Sequence, residues 1–459
     1  MKSKNLKVLC LVIVIALFAV AAFGCGAPAA DGGAATAGGA AAGDGSGAAA
    51  SEGGTKAGAS GNKVLKIGVD DSLTGTGAPY GLPAANAVKL GASEVNAEGG
   101  IKIGDETYDI EVITYDNKSD ATEGVSTIQK LMDVDNVNYV LGWSSSTSTI
   151  SAAQQIPGKE ITMLVGNARS PQILLYSPGN TFRSATANCY DPVSDCQYIK
   201  DNLGVSKVAV LAFFNDTGYS VHANNVIDAF EKIGVEVVAQ ETMNAGDLDL
   251  LSQMTNIANS GADGLYMAGN IEESAMALRQ LRELGSTIPM ITYSSGTGPQ
   301  WLETCTNDQM DGSYAIRPQV AEEGGENGEQ SDAFIKKYEE MFGENPSQTA
   351  TNGYDNFWIL MAALQKAGTT DWEPVNNAIK ELKVEDLDPR VIIEYTPLDG
   401  GLLFDDLGQA YHPYTVSKWS MEEQNWAYED TIGKDIGPDF LHNYLKEYCE
   451  QEGIEFPGK

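Results

Sequence analysis

Basic charge, histidine and cysteine are all scarce in this chain. Lys and Arg number 29 against 63 acidic residues, a formal net charge of −34. Such a surface repels phosphate backbones, so no nucleic-acid partner is expected, and the excess reads as solubility. The three histidines, His222, His412 and His442, are scattered and lack HExxH spacing. They argue against a histidine-rich zinc site, and neither a metal nor a cofactor is expected. Six cysteines make no CxxC and are too few for a disulfide scaffold. On one continuous helix Cys189 and Cys196 would be about 10 Å apart along the axis, too far to bridge. They pair only if Cys189 precedes the helix, which Pro192 at a first-turn position allows; buried free thiols are the favoured state. GxSxG, HExxH and P-loop motifs are absent, and Gly75-x-Gly77 lacks a third glycine at the required spacing. The acidic pairs Asp70-Asp71 and Asp405-Asp406 read as loop solvation and turn formation. No turnover is expected.

The N-terminus is a leader rather than structure. Lys2, Lys4 and Lys7 precede an apolar run from Val8 to Phe23, short of the roughly 20 residues of a membrane span. Removing these lysines takes the net charge from −34 to −37. Ala22-Phe23-Gly24-Cys25 resembles a bacterial lipobox, with a small residue three places before the cysteine and Gly directly before it; Phe23 departs from the usual small residue. The resemblance implies cleavage after residue 24 and diacylglycerol on Cys25, two acyl chains being enough for stable anchoring. The Gly, Ala and Ser-rich stretch that completes 25–62 has no periodicity. It reads as a flexible tether with an r.m.s. reach of about 35 Å.

A 459-residue chain with 42 % hydrophobic residues has room for two globular domains. From Lys63 the pattern alternates strand and helix: Lys63–Val69, Leu82–Glu98, Asp109–Tyr115, Ala121–Asp133, Val137–Leu141, Thr147–Gln155, Ile161–Val165. It restarts with strands at Lys207–Leu211, Val235–Ala239, Gly264–Met267 and Met290–Tyr293, alternating with helices Ser220–Ile233, Leu250–Ala258 and Glu272–Leu284. A helix pair (Ala333–Phe342 and Asn352–Lys366) and a strand-and-turn tail, Gly401–Trp426, follow, with Trp358 most simply core. Alternation of this kind argues parallel sheets with helices on both faces, in two lobes around a cleft.

Within the first set, Tyr139–Thr149 reads YVLGWSSSTST. Its apolar start is strand-like, and six hydroxyl residues without charge follow Trp143. Such a strand-to-helix turn can direct hydroxyls and backbone N–H groups at a small polar ligand. The same residues also favour a helix N-cap with no ligand. Ligands of parallel sheets lie beyond the carboxyl ends of the strands, and the loops after Val69, Leu141 and Val165 share that edge. Their convergence favours the ligand reading.

Several pieces, in order, resemble the periplasmic leucine/isoleucine/valine-binding protein family, the type I substrate-binding proteins of ABC importers. They are Ile67-Gly68 with Leu73-Thr74-Gly75 and Tyr80-Gly81, then Asn96-Ala97-Glu98-Gly99-Gly100-Ile101, Tyr115-Asp116 and Val140–Thr149. Ala168-Arg169-Ser170-Pro171, Phe182-Arg183-Ser184, Leu278–Gly285, Gly353-Tyr354-Asp355 and Phe404–Gly408 complete the set, so that the match runs from Lys63 to about Trp426. The resemblance implies an α/β fold of two lobes, each a mostly parallel sheet flanked by helices, joined by three hinge crossovers. It assigns 63–187 and 317–397 to an N-terminal lobe and 188–316 and 398–459 to a C-terminal lobe.

In that family the ligand is often held by its α-carboxylate and α-ammonium. By position, the carboxylate falls to Ser146, with Ser145 and Thr147 as neighbours. Tyr80 matches an aromatic that closes over the ligand side chain, and Trp143 adds a second aromatic wall. The turn Asn167-Ala168-Arg169 supplies further contacts, and Asp216, Thr217, Asn270 and Ser294 complete the set from the second lobe. Three positions depart from the family pattern. Arg169 stands where many members have Thr; Thr217 replaces a tyrosine, with Tyr219 two residues on; and the acid that often holds the ammonium, near Ser294, is absent. Either Asp216, Asp191 or Glu272 replaces that acid or the ligand is no simple aliphatic α-amino acid. Arg169 either meets a ligand carboxylate or is turned to solvent or paired across the hinge. The implied protein is an extracytoplasmic, lipid-anchored monomer that passes a small amino acid, carboxylate or amide to an ABC permease. The alternative is a sensor of the same fold feeding a signalling partner.

Overall fold

The computed structural model describes residues 61–458 except 215–216, 245, 294–299, 322–327 and 435, with backbone alone at 76, 217 and 218. The leader, Cys25, the tether up to residue 60, Asp216 and Ser294 therefore lie outside the described residues, as does the side chain of Thr217.

The first lobe is built on a six-stranded sheet. Its strands are β1 (Lys63–Asp71), β2 (Ile101–Ile103), β3 (Glu106–Asp116), β4 (Tyr139–Gly142), β5 (Thr162–Val165) and β6 (Thr181–Arg183). They lie in the order β2-β3-β1-β4-β5-β6. All neighbours run parallel except the β2–β3 hairpin. Helices α1 (Ala78–Ala97), α2 (Ala121–Asp133) and α3 (Ser146–Ala153) connect the strands. Helix α2 begins where Asp120 accepts from the backbone N–H groups of Thr122 and Glu123, satisfying two donors that the helix itself cannot. It buries Thr127, Ile128 and Leu131, the i, i+1, i+4 stripe of an amphipathic helix.

The second lobe begins with α4 (Asp191–Leu203) and continues through β7 (Lys207–Ala212), α5 (Thr217–Lys232), β8 (Glu236–Thr242), α6 (Leu251–Asn259), β9 (Gly264–Ala268), α7 (Ile271–Glu283), β10 (Met290–Tyr293), α8 (Trp301–Thr304) and β11 (Ser313–Pro318). The chain then returns to the first lobe with α9 (Gly328–Phe342), α10 (Gln348–Ala367) and α11 (Trp372–Lys380). It crosses a third time to add β12 (Tyr414–Ser420), β13 (Asn425–Ile432) and α12 (Pro438–Glu452). The second sheet runs β13-β12-β11-β10-β9-β7-β8, antiparallel only at β11–β12 and β12–β13.

Helix α10 is buried almost all round, from Thr349 to Leu364. It packs against α1 so closely that a Cβ on Gly91 would lie 2.4 Å from the Phe357 ring. Trp358 is core, as its sequence setting suggests. Among the elements not anticipated are β11, α11, two very short strands and the last helix. Strands β2 and β6 have three residues each, too few to show a period of two. Helix α12 does carry a stripe, Leu441, Leu445 and Cys449, in an otherwise polar stretch. Cys189, Cys196, Cys305 and Cys449 are buried free thiols.

Asp70 and Asp71 do not lie in a solvated loop; they are the last residues of β1 and have no exposed surface. Asp70 accepts from Thr127 Oγ1 (2.6 Å) and Asn117 Nδ2 (3.0 Å), which meets the cost of burying it there.

Candidate functional site

The ends of β1, β4 and β5 stand level, Asp70 beside Gly142 and Gly142 beside Val165. Gly142 (φ 122°) and Trp143 (φ 71°) then turn the chain sharply. A Cβ on Gly142 would lie 2.7 Å from the Asp70 carbonyl oxygen, so only glycine fits. The turn sends the Trp143 indole inward, where it is fully buried among Ile128, Leu131, Met163 and Ala168. Trp143 is thus core in this conformation, and the expected aromatic wall on that side is not presented at the edge.

Asp71 ties two of the edge loops together. Its Oδ1 accepts from the backbone N–H groups of Ser72 (2.8 Å) and Ser144 (3.0 Å). Burial raises its carboxyl to about 6, against the pull of those hydrogen bonds. Next comes α3, with Ser145 in extended conformation at its N-cap. No side chain caps it and no acid occupies its first turn, so its first N–H groups are left for an outside acceptor. Ser145 and Ser146 are half-buried and Thr147 exposed. Ser146 Oγ accepts from Ser170 N at 3.2 Å, linking α3 to the turn after β5.

That turn is anchored to α10. Asn167 Nδ2 donates to Thr349 O (3.2 Å) and Asn167 Oδ1 accepts from Asn352 Nδ2 (2.8 Å). Ala168 is buried, its N–H bonded to Trp143 O (2.7 Å). Tyr80, in the first turn of α1, is 54 % exposed, while its carbonyl accepts from Thr349 Oγ1 (2.6 Å). Tyr80, Ser145, Ser146, Thr147 and Asn167 thus share the strand-end edge of the first lobe.

Arg169 turns the other way, toward the second lobe. Its Nη2 donates to Asp191 at the start of α4 and to Thr186 Oγ1 (2.8 Å), its Nε to Thr186 O (3.0 Å), and its Nη1 to Tyr293 OH (3.2 Å). Asp191 in turn accepts from Tyr414 OH (2.6 Å) and Tyr293 OH (2.9 Å). Burial alone would lower the Arg169 pKa, but Asp191 outweighs it and holds the guanidinium charged. Of the two uses open to Arg169, pairing across the hinge is the one observed. Asp191 is correspondingly committed and is no spare acid for an ammonium group. Beside this pair, His222 stacks on Tyr293 with centroids 3.6 Å apart. The Tyr266 hydroxyl joins His222 Nε2 (2.9 Å) to Asp195 Oδ2 (2.9 Å). Burial pushes His222 down to about 4 and Asp195 well above the usual carboxylate range.

The rest of the second-lobe edge is partly described. Asn270 stands half-buried at the N-cap position of α7 without a side-chain capping bond, and Tyr219 OH lies 3.5 Å from its Oδ1. Glu272 is exposed in the first turn of α7. Thr217 opens α5. A separate concavity of about 1470 Å³ lies away from the strand ends, between α4, the crossover after Thr396 and the start of α12. The residues that sequence reasoning missed are Asp71, Thr349, Asn352 and Tyr414. Only Asp71 had a signal, an acidic pair directly after an apolar strand.

Two α/β lobes joined by three crossovers, with polar strand-end loops along one edge, define the class of two-lobed solute-binding proteins. A family model for periplasmic binding proteins matches residues 64–424. The leucine-, isoleucine-, valine-, threonine- and alanine-binding protein of Pseudomonas aeruginosa is 25 % identical over 358 residues, covering 77 % of this chain and 90 % of that one. Leu/Ile/Val-binding protein homolog 1 of Brucella suis is 24 % identical over 354 residues, covering 77 % and 90 %. The chain belongs to the periplasmic binding protein family.

Solved structures agree on the fold. A branched-chain amino acid transporter substrate-binding protein from Streptococcus pneumoniae, in complex with isoleucine, aligns with TM-score 0.63 and 20 % identity over 81 % of this chain and 99 % of that one. A solute-binding protein of an ABC transporter from R. palustris, in complex with benzoate, aligns with TM-score 0.61 and 18 % identity over 80 % and 96 %. The family is one of extracytoplasmic ligand-binding transport proteins. Among the described residues no helix is long and apolar enough to cross a membrane.

Proposed function

We propose that this protein is the lipid-anchored receptor of an ABC importer, a monomer that closes its lobes on one small solute and presents it to a membrane permease. The observation that carries the reading is the uncapped N-terminus of α3 beside Ser146, at an edge shared with Tyr80 and Asn167. Backbone N–H groups and a hydroxyl there suit a carboxylate or amide oxygen. Residues 63–187 with 317–397 would move as one lobe and 188–316 with 398–459 as the other, a hinge motion. Asp216, Thr217, Asn270 and Ser294 would complete the site from the second lobe.

Ser146→Ala should weaken ligand binding by about 1–3 kcal/mol, read by calorimetry; unchanged affinity would sink the assignment. The ligand is found first, by thermal shift across amino acids, aromatic acids and small amides, since ligand bound only to the folded state raises the melting temperature. With Asp191 committed to Arg169, an α-ammonium would fall to Asp216 or Glu272; the second reading of the ligand is a carboxylate that lacks one. Relatives of the same fold include a benzoate complex as well as an isoleucine complex. Stabilisation by benzoate-type acids and not by leucine or isoleucine would select this reading. Anchoring is tested separately: Cys25→Ser should move the protein from the membrane to the soluble fraction, and an unchanged distribution would exclude lipid on Cys25.

A further inference from the structure

Asp405 and Asp406 stand side by side in the third crossover, and His442 faces them from α12. His442 Nε2 is 3.0 Å from Asp405 Oδ2 and 3.5 Å from Asp406 Oδ1. The three atoms all lie within 4.8 Å of one another. Bonds of about 2.0–2.2 Å to a divalent cation place neighbouring ligand atoms roughly 3 to 3.5 Å apart. The two separations from His442, 3.0 and 3.5 Å, are those of neighbouring ligands around one ion.

The turn that carries the carboxylates is held without help from His442. Asp405 Oδ1 accepts from the backbone N–H groups of Leu407 (2.9 Å) and Gln409 (2.8 Å). Its Oδ2, the atom facing His442, also accepts from Tyr411 OH (2.6 Å). Hydrogen bonds of this kind orient a ligating carboxylate. Asp405 and Asp406 also line the 1470 Å³ concavity, which gives an ion a route in and water a place to fill the remaining positions. Asp399, Asp430 and Asp439 line it too, against the cations Lys232 and Lys380, so the local field favours a cation. One His442 nitrogen thus stands within 3.5 Å of both carboxylates, which brings the three groups to a single point.

We propose that Asp405, Asp406 and His442 bind a divalent cation that accepts mixed nitrogen and oxygen ligands, of the Zn²⁺ or Co²⁺ type. The ion would clip the C-terminal helix α12 to the crossover between the lobes. One histidine with two carboxylates is a set that histidine-rich spacing does not reveal.

The test is calorimetric titration of EDTA-stripped protein with Zn²⁺, with Co²⁺ absorption as a second probe. The expected result is one ion per chain, with affinity lowered at least about tenfold by His442→Gln and by Asp406→Asn. Zn²⁺ should also raise the melting temperature of the wild type and not of either variant, while circular dichroism shows both variants folded. Absence of saturable binding by the wild type, or wild-type affinity in both variants, would overturn the proposal. Ser146→Ala should bind Zn²⁺ unchanged, which separates this site from the solute site.

Discussion

The two edges that face each other across the lobes use polarity in opposite ways. On the first lobe, short hydroxyl and amide side chains sit on turns held by backbone hydrogen bonds, and Tyr80 and Thr147 remain exposed. On the second, stronger groups are present but tied to one another: Arg169 reaches across to Asp191, and Tyr293, Tyr414, His222, Tyr266 and Asp195 extend the network inward. A buried charge needs a partner, and a group that has its partner inside the protein is poorly placed to bind a ligand. Weak polar groups on a fixed backbone can wait for a ligand at little cost. On the function proposed above, the first edge would serve recognition and the second, where described, structure.

The harshest way to break this contrast is to remove Asp191. Asp191→Ala leaves the Arg169 guanidinium buried without an anion and two tyrosine hydroxyls without their acceptor. The expected loss is about 3–5 kcal/mol of unfolding free energy, measured by urea denaturation. Replacing both partners, as Arg169→Met with Asp191→Leu, should recover much of it, because the pair is costly to break but not to replace. A single variant within about 1 kcal/mol of wild type would mean that the second edge is solvated and open to ligand after all.

A milder perturbation is pH. His222 titrates near 4 in the folded chain because burial disfavours its charged form, against about 6.5 when unfolded. Between these values the unfolded state binds the extra proton, so stability falls as pH drops from 6.5 to 4. The full contribution is about 3 kcal/mol at pH 4. Buried His412, also pushed down to about 4, acts in the same window, while Asp71, raised to about 6, and Asp355, raised to about 7, act in the opposite sense. The comparison is therefore made by difference. Between pH 7 and pH 4 the wild type should lose about 3 kcal/mol more than His222→Gln. Parallel pH profiles would show that His222 is hydrated or already charged, and that the second edge is not dry.

How far the site could be read from sequence divides along the same line. The first edge was legible because its signals are local: apolar runs end at Val69, Leu141 and Val165, and a hydroxyl run follows the second. Even there a positive φ at Trp143 reverses an aromatic ring from cleft to core, and no periodicity records that. Asp70 and Asp71 looked like loop residues because their partners, Asn117, Thr127 and Ser144, come from later segments. The second edge depends on contacts between distant positions, such as Asp191 with Tyr414. The support of the Asn167 turn by Thr349 and Asn352 is of the same kind. Pairings of that range follow from topology, and three crossovers between lobes cannot be inferred from local pattern.

The smallest effect expected is the sharpest test of the first edge. The Tyr80 ring is 54 % exposed and its carbonyl, not its side chain, holds Thr349. Tyr80→Ala should therefore shift unfolding free energy by no more than about 0.5 kcal/mol, as at an ordinary surface site. If the ring folds over a bound solute as the lobes close, the same change removes apolar contact from the complex alone and lowers affinity by about 1 kcal/mol. Calorimetry and thermal melting on one protein sample separate the two effects. Loss of affinity at constant stability places Tyr80 with Ser146 in recognition. Loss of stability at constant affinity would return it to the scaffold and leave the first edge to hydroxyls and backbone alone.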